Sequence, residues 1–115
     1  MIKIEILHDG VVIGTSDIEA FDPPMGVATG VFTPTDAYKP RDHAYRIDVD
    51  YREAGHEIDL AARCVEFGII RSAGVVIEDA SSLGEGRQVT VLGMYHDDYE
   101  VAFAADPVFR AYHSA

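Results

Sequence analysis

The sequence predicts an α+β domain, a mostly antiparallel sheet of five or six strands with helices covering one face. Three observations carry that expectation. Met1 to Leu7 alternate apolar and polar residues ahead of Asp9-Gly10. Val75-Val76-Ile77 and Val89 to Met94 are dense in β-branched residues, which favour strands. Near the end, Tyr95, Tyr99 and Phe103 recur every four residues around two aspartates, the pattern of a capped helix with one apolar face.

The first strand places Ile2, Ile4 and Ile6 on one face, since side chains alternate along a strand. Asp9-Gly10 supplies the hairpin turn. Val11 to Phe21 return as a second strand, with a bulge expected at Gly14. Phe21 to Pro34, FDPPMGVATGVFTP, holds three of the five prolines. Asp22-Pro23-Pro24 fixes two φ angles and withholds two donors, so no helix or central strand continues through it. Gly26 suits a positive φ in the reversal, and Gly30 a bulge or a close backbone approach. Asp22, Pro23, Pro24, Gly26 and Gly30 therefore read as a structural loop ordered against the core, followed by a third strand near Val27–Phe32.

Residues 35–54 fit two templates. Pro34-Thr35-Asp36 is a helix start with Thr35 or Asp36 as N-cap. Tyr45, Ile47, Val49 and Tyr51 alternate with Arg46, Asp48, Asp50 and Arg52 as a half-solvated strand would. A short helix near Thr35–Asp42 is expected, followed by either a strand or more helix, with helix favoured for part of residues 35–54. Ala54-Gly55-His56 breaks it. Glu57 to Val65 then form a strand with Ile58, Leu60, Ala62 and Cys64 on one face, and Phe67 to Ile70 a short apolar link. Val75–Ile77 and Val89–Met94 pair antiparallel across the long polar turn Ser81–Arg87. Asp106-Pro107 restarts the terminal helix, with Phe109, Tyr112 and His113 on one side.

The segments DPPMGVATGVFTP, GVVIEDASSLG and VTVLGM, with the tyrosine-rich tail, resemble a group of small uncharacterised bacterial proteins. The likeness covers about half of the 115 residues. It implies a bacterial source and an α+β domain, and it implies no catalytic residue.

Composition narrows the function classes. Nine basic residues stand against twenty acidic ones, a formal net charge of −11. The seven arginines and two lysines form no stripe, so a phosphate backbone would be repelled and no nucleic-acid partner is expected. No segment approaches the roughly 18 uninterrupted apolar residues of a membrane helix, and no signal peptide stands at the N-terminus. Cys64 is the single cysteine, which suits a reducing compartment. No membrane association is expected, and a cytoplasmic location is.

The most chemical-looking cluster is Tyr95-His96-Asp97-Asp98-Tyr99-Glu100. Histidine beside carboxylates can bind a cation, but adjacent residues rarely converge on one ion, and acids at a helix start complement its macrodipole. No metal and no cofactor are expected; His96, Asp97 and Asp98 are the ligands to test first if a metal is found. Asp48 and Asp50 share a face, and flanking Arg46 and Arg52 make that face a row of alternating charge. Glu78-Asp79 reads as the acidic end of a buried strand. Cys64 reads as a packing residue, and no serine sits in a nucleophile-elbow context. Gly26 to Gly30 and Gly84 to Gly86 lack the residues that complete a phosphate loop. The five histidines read as surface residues.

No catalytic residue stands out. The leading expectation is a small acidic non-enzymatic binding module for a protein partner. The competing one is a hydrolase-type enzyme with a site assembled from dispersed His and Asp/Glu. Five of the eleven aromatic residues fall in the last 21 positions, so Tyr95, Tyr99, Phe103, Phe109 and Tyr112 are the expected interface of a two-fold homodimer.

Overall fold

Strand β1 (Ile2–His8) turns at Asp9-Gly10 into β2 (Val11–Asp22), and the two pair antiparallel. Both turn residues have positive φ, 50° and 80°, the geometry whose twist matches that of the flanking strands. The computed structural model describes residues 2–22, 25–48, 50–51, 59–64 and 68–94. Beyond β2 these form β3 (Val27–Pro34), the short helix α1 (Pro40–His43), β4 (Arg46–Ile47), β5 (Asp50–Tyr51), β6 (Leu60–Cys64), β7 (Gly68–Ile70), β8 (Gly74–Asp79) and β9 (Arg87–Leu92).

The strands make one sheet, in the order β5-β4-β8-β9-β3-β2-β1-β6-β7. Every pairing is antiparallel except β4 with β8. One face is closed to solvent: Ile4 and Ile6 of β1, Ile18 of β2, Phe32 of β3, Ala62 and Cys64 of β6, Val75 and Ile77 of β8, and Val89 and Val91 of β9 are all buried. Burying an isoleucine in this way contributes about 1.5–3 kcal/mol.

The expected α+β fold, with helices covering one face, is overturned, because the described residues are nearly all sheet. Among the described residues the helical structure is one turn, α1, and a 3-10 turn at Ser81–Leu83. The reason is curvature. β6 and β8 are separated by four strands in the sheet order yet touch each other, so the sheet curls and covers its own apolar face. Two irregularities assist, since a bulge bends its strand and increases the twist. One leaves Ile13 unpaired between β1 and β2, and the other leaves Glu19 unpaired between β2 and β3. The bulge expected at Gly14 thus falls one residue earlier, and Gly14 lies against the ring of Phe32, which a Cβ would meet.

The helix favoured for part of residues 35–54 is, among the described residues, the single turn Pro40–His43. Thr35 closes a turn, its hydroxyl donating to the Val12 carbonyl and accepting from the Ala37 amide. Pro40 then opens α1, which ends at His43, before the short strands β4 and β5. Pro40 tolerates only a first turn; of the alternating residues that follow, Arg46 and Ile47 pair with β8, and Asp50 and Tyr51 pair back on β4. The expected link Phe67–Ile70 is the edge strand β7 where it is described.

Candidate functional site

Alternation along β8 points Val75, Ile77 and Asp79 inward and leaves Val76 and Glu78 on the other side. A carboxylate therefore ends an otherwise apolar inner row. Asp79 is 3% exposed, and burial of a charge is tolerated only with full pairing. The pairing is present. Tyr38 Oη donates to Asp79 Oδ2 at 2.7 Å, and Arg87 Nε, facing it from β9, donates to the same oxygen at 3.1 Å. The Ser81 amide and hydroxyl donate to Oδ1 at 3.0 and 2.6 Å. Burial alone would push this carboxyl up. The Ser81 hydroxyl, the Tyr38 hydroxyl, the Ser81 amide and Arg87 outweigh it and hold the group down to about 2. Burial first, and then the bond to Asp79, push the Tyr38 phenol above its ordinary value. Asp79 is thus a committed anion, the opposite of a proton-exchanging acid.

Tyr38 also links this cluster to a histidine pair. Its ring stacks on His43, with centroids 5.9 Å apart. His43 Nε2 lies 3.3 Å from His8 Nδ1, and His8 Nε2 lies 3.7 Å from Asp9 Oδ2.

The solvent-facing side of the same strands carries a groove of about 310 Å³. Its lining includes Glu19 and Ala20 of β2, Thr29, Gly30 and Val31 of β3, Arg46 of β4, Glu78 and Asp79 of β8, Glu85 in the turn, and Arg87 and Gln88 of β9. The bulge at Glu19 sets the rim, leaving Glu19 and Ala20 both exposed in succession. Gly30 leaves no room for a side chain on the inner face, where a Cβ would meet the Ser16 hydroxyl and, at 2.5 Å, the Asp17 carbonyl. Val31, 55% exposed, adds an apolar patch. Asp48 lines the groove with φ 55° and accepts a hydrogen bond from Ser82 Oγ. Arg46 pairs with Glu78 at 3.4 Å and Arg87 with Asp79.

The residues singled out in the sequence are distributed as follows. His96, Asp97 and Asp98 lie outside the described residues, as do Tyr95, Tyr99, Phe103, Phe109 and Tyr112. Pro23 and Pro24 also lie outside them. Asp22 ends β2 opposite Val27, and Gly26, with φ +64°, accepts the Met94 amide at 3.0 Å. A Cβ on Gly26 would stand 2.9 Å from the Met94 carbonyl, so glycine is required there twice over. Gly30 serves as a close approach within β3 and not as a bulge. Of the row of alternating charge expected around Asp48 and Asp50, Arg46 pairs with Glu78, and Arg52 lies outside the described residues. His43 is buried, contrary to the expectation of five surface histidines, because α1 packs it against His8 and Tyr38. Among the described residues no group of three His, Cys, Asp or Glu side chains is placed to hold a metal ion.

The Tyr38–Asp79–Arg87 cluster was missed as a unit. The available signal was an acid at the third inward position of an alternating strand, with an arginine where the partner strand resumes.

The described elements define a class: a curled, largely antiparallel sheet with a polar cluster at one end of its core and an acidic groove on its outer surface. No family model, no curated protein and no solved structure matches the chain. No helix among the described residues is long and apolar enough to cross a membrane.

Proposed function

We propose that the protein is a non-enzymatic binding module whose partner is a protein segment rich in arginine or lysine, seated in the outer groove. The charge of the groove carries the reading. Five carboxylates and two guanidinium groups line it, and Arg46 and Arg87 both make ion pairs with its own acids. Glu19, Asp48 and Glu85 leave an excess of negative charge facing solvent. Exposed Val31 and Ala20 supply a surface for the methylene stem of a long basic side chain, which packs on apolar surface while its head stays polar. The net charge of −11 would speed encounter with such a partner and reject acidic ones. The state of Asp79 adds support, since a buried carboxylate held deprotonated by four donors serves structure better than acid–base turnover.

The test is titration of the ¹⁵N-labelled protein with a short arginine-rich peptide and with a glutamate-rich peptide of equal length. The expected result is saturable shifts confined to Glu19, Thr29, Val31 and Glu85–Gln88 with the basic peptide alone. The paired substitutions Glu19→Gln and Glu85→Gln should weaken binding by about tenfold at low salt. Shifts scattered over the whole surface, or none at millimolar peptide, would overturn the reading.

A further inference from the structure

The sequence places His8 at the end of β1 and His43 at the end of α1, 35 positions apart. The fold brings their rings edge to face, with centroids 4.9 Å apart. The hydrogen bonds around them decide where each proton sits. The Lys39 amide donates to His43 Nδ1 at 3.0 Å, so that nitrogen carries no proton. The neutral His43 ring must then hold its proton on Nε2, and Nε2 donates to His8 Nδ1. His8 in turn is left with its proton on Nε2, the nitrogen 3.7 Å from Asp9 Oδ2. One tautomer of each ring satisfies the set.

We propose that the His8–His43 pair is a proton-operated latch that fastens the segment from Thr35 to Ala44 onto the end of β1. Neutral, the pair holds two bonds: Lys39 to His43, and His43 to His8. A proton added to His8 Nδ1 puts two N–H groups face to face and opens the second bond. A proton added to His43 Nδ1 opposes the Lys39 amide and opens the first. The His8 side chain is 33% exposed and lies beside the Asp9 carboxylate, whereas His43 is 5% exposed, so solvent reaches the pair from the His8 side. Released from His8, His43 would meet solvent as well. A divalent metal bridging the two facing nitrogens is disfavoured by the same geometry, since His43 would have to move its proton to Nδ1, against Lys39.

The groups around the pair are few in kind. Asp9 adjoins His8 in the turn, and Asp59 precedes Leu60, the partner of His8 in β6. Lys39, Arg41 and Asp42 lie on the segment of His43 itself. On its other side Tyr38 stacks, backed by Asp79 of β8 and Arg87 of β9. Asp79 already holds its own cation, Arg87, so the nearest carboxylate with an imidazole as its partner is Asp9. The segment from Thr35 to Ala44 includes Tyr38, so its release would also withdraw a donor from Asp79. The latch does not depend on what occupies the groove.

Two measurements on the uniformly ¹⁵N-labelled protein test it. Imidazole ¹⁵N correlations at pH 7.5 should show both rings protonated at Nε2. Amide exchange, corrected for the intrinsic rate, should show Lys39 losing about tenfold in protection between pH 7.5 and 5, the loss of one hydrogen bond, while Val89 in β9 stays protected. His8→Asn supplies an acceptor oxygen that does not titrate, and it should abolish the pH step at Lys39. A Nδ1–H tautomer of His43 at pH 7.5 would overturn the proposal even if His8→Asn fails to fold. So would a pH step that persists in folded His8→Asn, or equal loss of protection at Lys39 and Val89.

Discussion

Glu78 and Asp79 are neighbours in the chain and belong to the same strand, but the pleat sends them to opposite sides of the sheet. Glu78 faces the groove, where its side chain is 42% exposed, and meets Arg46 at 3.4 Å. Asp79 faces the core and is held by Tyr38, Arg87 and both donors of Ser81. Each has an arginine, so counting ion pairs would rank them as equals. Solvent separates them. Around Glu78, water screens the attraction and the net contribution of such a pair is small. Around Asp79, only 3% exposed, removing the carboxylate leaves its donors without their acceptor. The same residue pair thus serves as adjustable surface on one face and as structural fastening on the other.

The largest expected effect is that of Asp79→Ala, which should destabilise the protein by about 3 kcal/mol, the lower range for breaking a buried pair, as read by urea unfolding. A loss similar to that of Glu78→Ala would break the comparison.

Acid should separate the two faces next. The Asp79 carboxyl is held down to about 2 in the folded protein, against an ordinary 3.8. The folded state therefore binds this proton more weakly than the unfolded chain does. Its stabilisation is full above pH 4 and is lost as pH falls from about 4 to 2, a change of about 2 kcal/mol. Urea midpoints measured across that window should drop in the wild type, and that component should be missing from Asp79→Asn.

A smaller effect sharpens the contrast within the core itself. Ser16 is buried between Ile4 and Phe32 in register, yet its hydroxyl has no hydrogen-bond partner among the described residues. Where Asp79 is satisfied, Ser16 is not. Ser16→Ala should therefore raise stability, by about 1 kcal/mol, visible as a higher melting temperature. A fall would mean that the hydroxyl packs against Gly30 to better effect than its lost hydration costs.

The smallest effect belongs to Glu78→Ala, expected within about 0.5 kcal/mol of the wild type in moderate salt. A thermal scan showing a loss several times larger would mean that the groove face holds the sheet together.

Much of the strand content was legible because it is local. The Asp9-Gly10 turn, the alternation of Ile4 and Ile6, the face shared by Leu60, Ala62 and Cys64, and the pairing of β8 with β9 all follow from neighbours a few positions apart. So does the positive φ of Gly26, set between a proline pair and a new strand. The candidate site was less legible. Glu78 and Asp79 read as turn acids, and nothing near them announced Tyr38, 41 positions away. Where local signals compete, as in residues 35–54, the outcome depends on which partner the alternating stretch finds.

By itself, then, the amino-acid order determined turn positions, which residues alternate and which isoleucines seek cover, because backbone sterics and apolar periodicity act over a few residues. Tertiary structure alone decided that the sheet curls onto itself, that β4 joins β8 in parallel, and that His43 meets His8 while Tyr38 meets Asp79. Those outcomes depend on bulges, on the reach of the curl and on burial shared between distant segments. No single window of sequence contains them.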